Sequence, residues 1–299
     1  SGVWSATPTP FTAKMEIDPV SIRRMVDHHL RIGVNKLFLA GTCGEGPWMT
    51  DDQRRQLVRL VREAAGARMV LAMQVTDNSP ERILDNIARA KEDGADIAVI
   101  APPSMFMLPT PKRVLDHYLG AIQRSPMPVG IYDRGSYAAV PMTDAVAKQI
   151  VSHPNVILVK DSSSNPSRRK TYLAARRKNP RLALLNGNEF QCLDYLTAGY
   201  DGLLLGGGIF NGYMAAQMIE AVGAGDMAAA ERINQRVIRI NFAAYGGKKI
   251  ACWLTGLKEL LVAMKVFRTS ASYLRYPMTA AYHRAIQRLL DQDRDVLLP

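Results

Sequence analysis

Lys160 is the residue whose position in the sequence most clearly suggests chemistry. It directly follows the apolar run VILV at 156–159 and precedes the polar stretch DSSSN. A lysine that ends a buried strand is disfavoured as an ammonium ion, and its neutral amine is a nucleophile toward carbonyl carbons. The alternative is a lysine paired with a carboxylate such as Asp133 or Asp161, and position alone leaves both readings open.

Tyr132 ends the preceding apolar run and is the second chemical candidate. A phenol beside an imine can donate and accept the protons that imine formation and carbon–carbon bond cleavage require. A tyrosine at the end of a strand is also commonly a packed ring with a satisfied hydroxyl. Tyr132 is therefore predicted to be catalytic only if it lies beside Lys160.

A glycine-rich segment, GTCGEG at 41–46, follows another apolar run. Its backbone N–H groups and the Thr42 hydroxyl suit a carboxylate or phosphate, because unpaired amides and the start of a helix both attract anions. Glycine-rich turns also arise from tight packing alone. The glycines at 206–208 do not form GxGxxG, so they do not indicate a dinucleotide site.

Short apolar runs that alternate with amphipathic segments must position these residues. Eight runs read as strands: 3–9, 36–40, 69–75, 97–101, 129–132, 157–160, 183–186 and 202–206. Near-continuous apolar character is typical of parallel strands that helices cover. Eight strand-then-helix units in one rhythm predict an α/β fold, a single (β/α)₈ TIM barrel with extra C-terminal helices.

Helix boundaries carry recognisable signals. A capping residue precedes proline or an acid at Asp18-Pro19, Thr50-Asp51, Ser79-Pro80, Thr110-Pro111 and Asn165-Pro166. Helix ends are expected at Gly33, Gly94 and Gly199. We expect residues 1–224 to form the barrel with its catalytic mouth. Residues 225–299 should form a helical extension packed on it, with helices near 225–245, 250–268 and 277–293.

Composition and charge narrow the class of protein. A length of 299 residues suits one barrel, which needs roughly 250. The net charge of +11 comes from dispersed basic residues, which favours solvated helix faces over a nucleic-acid surface. No apolar run spans a bilayer, the first residues do not read as a signal peptide, and three scattered cysteines suit a reducing compartment. We therefore expect a cytoplasmic protein without nucleic-acid or membrane partners, and no metal site.

Five motifs together resemble the N-acetylneuraminate lyase and dihydrodipicolinate synthase family of Schiff-base barrels. They are GTCGEG, IYDRG, VKDSSSN, NGNEF and GYDGLLLGG, each at the end of a predicted strand and in the expected order. The resemblance implies that Lys160 forms the imine and that Tyr132 shuttles protons. It also implies that Thr42 helps the relay and, with the backbone of Cys43, holds the substrate carboxylate. It further implies no cofactor and a homo-oligomer, commonly a dimer of dimers.

The residues around these motifs are the other substrate-binding candidates. They are Gly44, Asp133, Arg134, Gly187, Glu189 and Gly206. Glu189 matches the acidic residue that holds sugar hydroxyls in the sialate-lyase branch, although an acid at a helix N-terminus is the plainer explanation. Together, Arg134 and Glu189 suit a hydroxylated substrate better than an apolar aldehyde.

Two departures from the family pattern limit what the resemblance implies. The segment 102–106 reads PPSMF, without the tyrosine that often reaches a neighbouring subunit's site, and Tyr137 stands near the place of the synthase branch's arginine. We therefore expect a lyase, aldolase or dehydratase, acting on a hydroxylated 2-keto acid such as a 2-keto-3-deoxy sugar acid, or releasing or adding pyruvate. The alternatives are a synthase-like condensation of pyruvate with an aldehyde and a ligand-binding barrel without turnover.

Overall fold

The eight predicted strands form one closed parallel barrel. A computed structural model describes all 299 residues, and its strands are ordered β1 to β8 around the barrel. Their bounds are β1 Gly2–Ala6, β2 Lys36–Leu39, β3 Val70–Gln74, β4 Ile97–Ile100, β5 Val129–Asp133, β6 Val156–Asp161, β7 Ala183–Asn186 and β8 Gly202–Leu205. Each overlaps its predicted run, so the predicted fold class is confirmed.

Twelve α-helices accompany the strands. They are α1 Pro19–Arg31, α2 Asp51–Ala65, α3 Pro80–Glu92, α4 Pro111–Ile122, α5 Asp144–Val151, α6 Pro166–Lys178, α7 Cys192–Thr197, α8 Gly208–Gly223, α9 Met227–Tyr245, α10 Trp253–Ala263, α11 Ala280–Gln292 and α12 Arg294–Leu297. None of these helices combines the length and the apolar character that crossing a membrane requires.

Local capping chemistry explains where the helices begin. The Thr50 side chain accepts a hydrogen bond from the Gln53 backbone, and the Gln53 side chain accepts one from the Thr50 backbone, which is a complete capping box. At the other predicted caps the side chain accepts from a backbone N–H of the first turn: Asp18, Ser79, Thr110 and Asn165. The glycines expected after helix ends, Gly33, Gly94 and Gly199, all have positive φ.

The contacts divide the chain into two compact units. The first comprises residues 71–204 together with Ser1, and it contains β4 to β7 with α3 to α7. The second comprises residues 2–70 and 205–299, and it contains β1, β2, α1, α2 and α8 to α12. The strands are buried in both units, and β4, β5 and β8 are buried along their whole length.

The C-terminal helices belong to the second unit. Helix α9 packs against α8, α10 and α11, and α12 packs against α8. Asp293, just before α12, is buried and accepts hydrogen bonds from Arg236 and Arg239 of α9. The three helical stretches expected beyond residue 224 are present, and the short α12 follows the last of them.

Adjacent histidines on α1 are both buried inside the second unit. The Nε2–H of His28 donates to the carbonyl of Ile209 over 2.7 Å, and Nδ1 of His29 lies 2.8 Å from the carbonyl of Met25. Burial lowers the pKa of His28 to about 4 and that of His29 to about 3. No three His, Cys, Asp or Glu side chains of the 299 residues are arranged to hold a metal ion.

This burial predicts a loss of stability in mild acid. Below a pH of about 6.5 the unfolded chain protonates both histidines, whereas the folded chain keeps them neutral until the pH approaches their lowered pKa values. The free energy of unfolding should therefore fall as pH falls from 6.5 towards 4, by about 1.4 kcal/mol per pH unit for each histidine. Urea unfolding at pH values from about 4.5 to about 6.5 measures the slope, and the free energy of unfolding should level off above that range. The variant His28→Gln, which still can donate to Ile209, should lose about half of the slope, and an unchanged slope would contradict this assignment.

Candidate active site

The pairing of β5 with β6 brings the two chemical candidates side by side. In this register Tyr132 pairs with Lys160, and Asp133 pairs with Asp161. Because successive side chains on a strand point to opposite faces, Tyr132 and Lys160 share one face, and the two aspartates share the other. One strand pair thus separates a lysine–tyrosine face from a carboxylate face.

Lys160 and Tyr132 are in direct contact. The Lys160 Nζ lies 4.1 Å from the centroid of the Tyr132 ring. The two side chains are only 5% and 7% exposed, respectively. An aromatic face attracts a cation at this distance, and the same ring forms an apolar wall beside the amine. The arrangement holds an amine and a phenol together where both side chains are almost fully buried.

Gly187, the first residue after β7, leaves room for the stem of Lys160. A Cβ at this position would lie 3.0 Å from Lys160 Cε and 2.1 Å from Ser162 Oγ. Its N–H donates to the carbonyl of Asp161 over 2.7 Å. The sequence predicts that Gly187 binds substrate, and the structure places Gly187 against the side chain of Lys160.

Asp133 makes contacts other than the substrate contact that the sequence predicts. Its buried carboxylate accepts hydrogen bonds from Arg168, from the hydroxyl of Tyr172 at 2.6 Å and from the N–H of Gly135 at 2.9 Å. Burial and the charge of Asp133 raise the pKa of Tyr172 well above its ordinary value, so the phenol remains a donor. Asp133 therefore anchors the end of β5, because its carboxylate is already surrounded by donors.

Arg168 on α6 is a residue that the sequence analysis did not select. It is buried, and besides Asp133 it binds Asp144 of α5 at 2.8 Å and the carbonyl of Met142. Burial is the largest single effect and opposes its charge, but Asp133, Tyr172 and Asp144 together raise the pKa of Arg168. The partners lie 24 to 35 residues away in the chain, so no local pattern in the sequence announces them.

Asp161 has its own set of donors. Its carboxylate accepts from the N–H of Ser163 at 2.9 Å and from the hydroxyl of Tyr200 at 2.6 Å. Burial raises the pKa of Asp161, and burial with the nearby Asp161 charge raises that of Tyr200. The two carboxylates of this strand pair thus bind donors other than the Lys160 amine.

The remaining candidates of the first unit lie in the turns after β5 and β7. Arg134 is half-buried and precedes a 3₁₀ turn, Gly135–Tyr137, in which its carbonyl accepts from the N–H of Tyr137 at 3.1 Å. Glu189 is half-buried as well, and its carbonyl lies 3.6 Å from the thiol of Cys192. Both side chains are positioned at strand ends, where the active sites of barrels lie.

The candidates of the second unit follow β2 and β8. Thr42 is half-buried and its carbonyl accepts from the N–H of Glu45 at 3.1 Å, whereas Cys43 is buried. The carbonyl of Gly44 accepts from the Thr9 hydroxyl at 2.6 Å. Gly206 lies in the turn between β8 and α8. The segment 41–46 is thus an ordered loop at the carboxyl end of its strand.

Comparison with known proteins decides the family. The model of the dihydrodipicolinate synthetase family matches residues 1–292. The chain belongs to this family. That assignment agrees with the resemblance carried by the five motifs.

A relative and two solved structures illustrate the family likeness. The 4-hydroxy-tetrahydrodipicolinate synthase of Mycolicibacterium paratuberculosis is 29% identical over 239 residues, which cover 79% of this chain and 77% of the relative. The dihydrodipicolinate synthase of Bacteroides thetaiotaomicron matches with a TM-score of 0.88, at 24% identity over 97% of this chain and 98% of the other. YagE, a family member from E. coli K12 solved in complex with pyruvate, matches with a TM-score of 0.87 at 19% identity, over 98% of each chain. At these identities the two structures show the shared fold alone.

The buried ion pair between Arg168 and Asp133 predicts an unequal response to two similar substitutions. Arg168→Met leaves a buried carboxylate without its cation and should lower the free energy of unfolding by about 3–5 kcal/mol. Arg176→Met removes a partly exposed pair with Asp201 and should cost about 1 kcal/mol or less. Urea unfolding at neutral pH measures both. Equal losses in the two variants would contradict the role given to the buried pair.

Proposed function

We propose that the chain is a lysine Schiff-base enzyme that binds pyruvate or another 2-keto acid as an imine on Lys160. The observation that carries the proposal is the 4.1 Å contact between the Lys160 amine and the Tyr132 ring, in a site where both side chains are almost fully buried. The family assignment supports it, as does the pyruvate complex described for YagE.

The chemistry follows from the two side chains. The neutral amine of Lys160 attacks the keto carbon, and the carbonyl oxygen takes a proton to give a carbinolamine. The Tyr132 phenol donates a proton to the departing hydroxyl, which leaves as water while the carbon–nitrogen double bond forms. The resulting iminium withdraws electrons, so a proton or a carbon substituent can leave the adjacent carbon and an enamine remains.

Thr42 and the backbone of Cys43 are proposed to hold the carboxylate of the substrate. The loop that contains them follows β2, and active sites of barrels lie at the carboxyl ends of the strands. Backbone N–H groups in a glycine-rich turn favour an anion. Arg134 and Glu189 are proposed to contact the second substrate or the distal part of a longer one. No cofactor is required for this scheme, because the iminium itself is the electron sink.

The names of the relatives favour condensation of pyruvate with an aldehyde as the overall reaction. The sequence alone favours cleavage or dehydration of a hydroxylated 2-keto acid, whereas the names of the relatives support the synthase reaction better. We therefore propose condensation first. Cleavage remains the second candidate because Tyr137, which is 76% exposed, stands near the place of the synthase branch's arginine.

Self-association is proposed from an exposed apolar segment. Met105, Met107 and Leu108 are 63%, 68% and 78% exposed, although Arg113 binds the carbonyls of Met107 and Leu108 and orders the segment. Exposed apolar clusters of this kind are typical of protein interfaces. The segment supports the homo-oligomer that the family resemblance implies, and the dimer-of-dimers arrangement stays a prediction.

Borohydride trapping tests the imine. Incubation with pyruvate and borohydride, followed by intact mass and peptide mapping, should give a pyruvate-sized adduct on the peptide that contains Lys160. Lys160→Ala should abolish the adduct, because no other amine is expected to form the imine. Lys170→Ala, an exposed lysine on α6, is the matched control and should keep it. A wild-type protein without adduct, or an adduct that persists in Lys160→Ala, would overturn the proposal.

Tyr132→Phe tests the proton relay. The substitution keeps the ring beside Lys160 and removes only the hydroxyl, so it should lower kcat by about 10²-fold or more if the phenol transfers protons. Steady-state kinetics with the best substrate of a panel of aldehydes plus pyruvate, and of 2-keto-3-deoxy sugar acids, measures the effect. Tyr213→Phe, on α8, is the control for loss of a phenol elsewhere. Unchanged turnover in Tyr132→Phe would contradict the proton-transfer role and leave Tyr132 with a packing role only.

The same panel separates the candidate reactions. A product formed only from pyruvate and an aldehyde indicates a synthase, and release of pyruvate from a sugar acid indicates an aldolase. Saturable binding of pyruvate without imine or turnover would instead support the ligand-binding barrel.

A further inference from the structure

The acidic residue of the GTCGEG loop is fully buried and unusually well bound. One oxygen of the Glu45 carboxylate accepts from the ammonium of Lys258 on α10. The other accepts from the Ser272 hydroxyl at 2.8 Å and from the N–H groups of Tyr273 at 2.6 Å and Leu274 at 3.3 Å. One carboxylate thus joins the loop after β2 to the C-terminal helical region, more than 200 residues away in the chain.

Lys258 is held as firmly as the residue that it binds. It is fully buried, it donates to the carbonyl of Ala271 at 2.8 Å, and its Nζ lies 4.7 Å from the centroid of the Phe11 ring. Burial lowers the pKa of Lys258, and Glu45 partly offsets this effect. A buried lysine without its carboxylate would therefore be strongly disfavoured.

The backbone of the loop has little freedom to relax. Glu45 has a φ of +58° and Ala40, which precedes the loop, has a φ of +53°, both in the left-handed region. A Cβ on Gly46 would lie 1.8 Å from the carbonyl oxygen of Ala40. A non-glycine residue stays in the left-handed region only where its surroundings hold it there. For Glu45, those surroundings are the four donors to its carboxylate.

We propose that Lys258 is a positioning residue that, through Glu45, fixes the loop 41–46 so that Thr42 and the Cys43 backbone are ready to bind a keto-acid carboxylate. The proposal rests on the proposed function and adds a role for the C-terminal helices in substrate binding. A preorganised anion site binds its ligand more tightly than a loop that must first be ordered.

Stability alone is a weak explanation for this ion pair. Replacing a buried ion pair by apolar or neutral groups of similar size is often neutral or stabilising, whereas removing one partner leaves an uncompensated charge. Because neutral groups can often replace such a pair without loss of stability, the geometry that it imposes, a loop at the carboxyl end of a strand joined to a distant helix, is the better explanation.

Kinetics of Lys258→Met in the full chain test the positioning role. We expect KM for pyruvate to rise by about tenfold or more with kcat changed by less than about threefold, because the loop contributes binding that is similar in the ground and transition states. The double variant Glu45→Gln/Lys258→Met leaves no uncompensated charge, so its melting temperature should lie near that of the wild type while KM stays raised. Lys249→Met, an exposed lysine, is the matched control and should behave as the wild type.

Reactivity of Cys43 gives a readout that does not depend on catalysis. Cys43 lies in the loop and is buried, so a thiol reagent should modify it slowly in the wild type and about tenfold faster in both variants if the loop is released. Peptide mapping separates it from Cys192 and Cys252. Wild-type values of KM and of Cys43 reactivity in the folded double variant would overturn the inference. If Cys43 is modified faster in the variants but the wild-type protein forms no imine, then Lys258 does hold the loop, and the proposed function is wrong.

Discussion

The register between β5 and β6 is the constraint on which the site depends. Pairing Tyr132 with Lys160 and Asp133 with Asp161 sorts four polar side chains onto two faces in one step. A slip of one residue would exchange these faces and place carboxylates where the amine must stand. The carboxylate face is therefore bound tightly: Arg168 and Tyr172 hold Asp133, and Tyr200 holds Asp161. These contacts keep the register and leave the other face to the lysine and the phenol.

Buried charges serve the same purpose in both units. In the first unit Arg168 joins the end of β5 to the start of α5, and in the second Lys258 joins the loop after β2 to α10. Desolvating each pair costs free energy. In return, the pair specifies one arrangement of the two segments, because a buried charge can be satisfied only by an opposite charge in the right place, whereas apolar side chains can pack in several ways. The barrel supplies the strand ends, and each ion pair connects a strand end or the loop that follows it to a helix.

The sequence predicted the scaffold better than the network behind the site. Strands and helix starts depend on local patterns, such as the buried run before Lys160 and the capping residue Thr50, and these appeared where expected. Asp133 was expected to contact the substrate, whereas its buried partner Arg168, 35 residues further on, was not expected from any local pattern. Glu45 and Lys258 are separated by 213 residues, so no pattern in the sequence could join them. Contacts between distant segments depend on how the helices and strands pack, and this packing cannot be read from a single sequence.

Lys160 is proposed to turn a bound keto acid into an enamine, with Tyr132 as the proton carrier. Exchange of the methyl protons of pyruvate with deuterated water, followed by proton NMR, tests that step without any second substrate. We expect exchange in the wild type, strongly slowed exchange in Tyr132→Phe, and none above the buffer rate in Lys160→Ala. Exchange that is absent from the wild type, or that continues in Lys160→Ala, would contradict it.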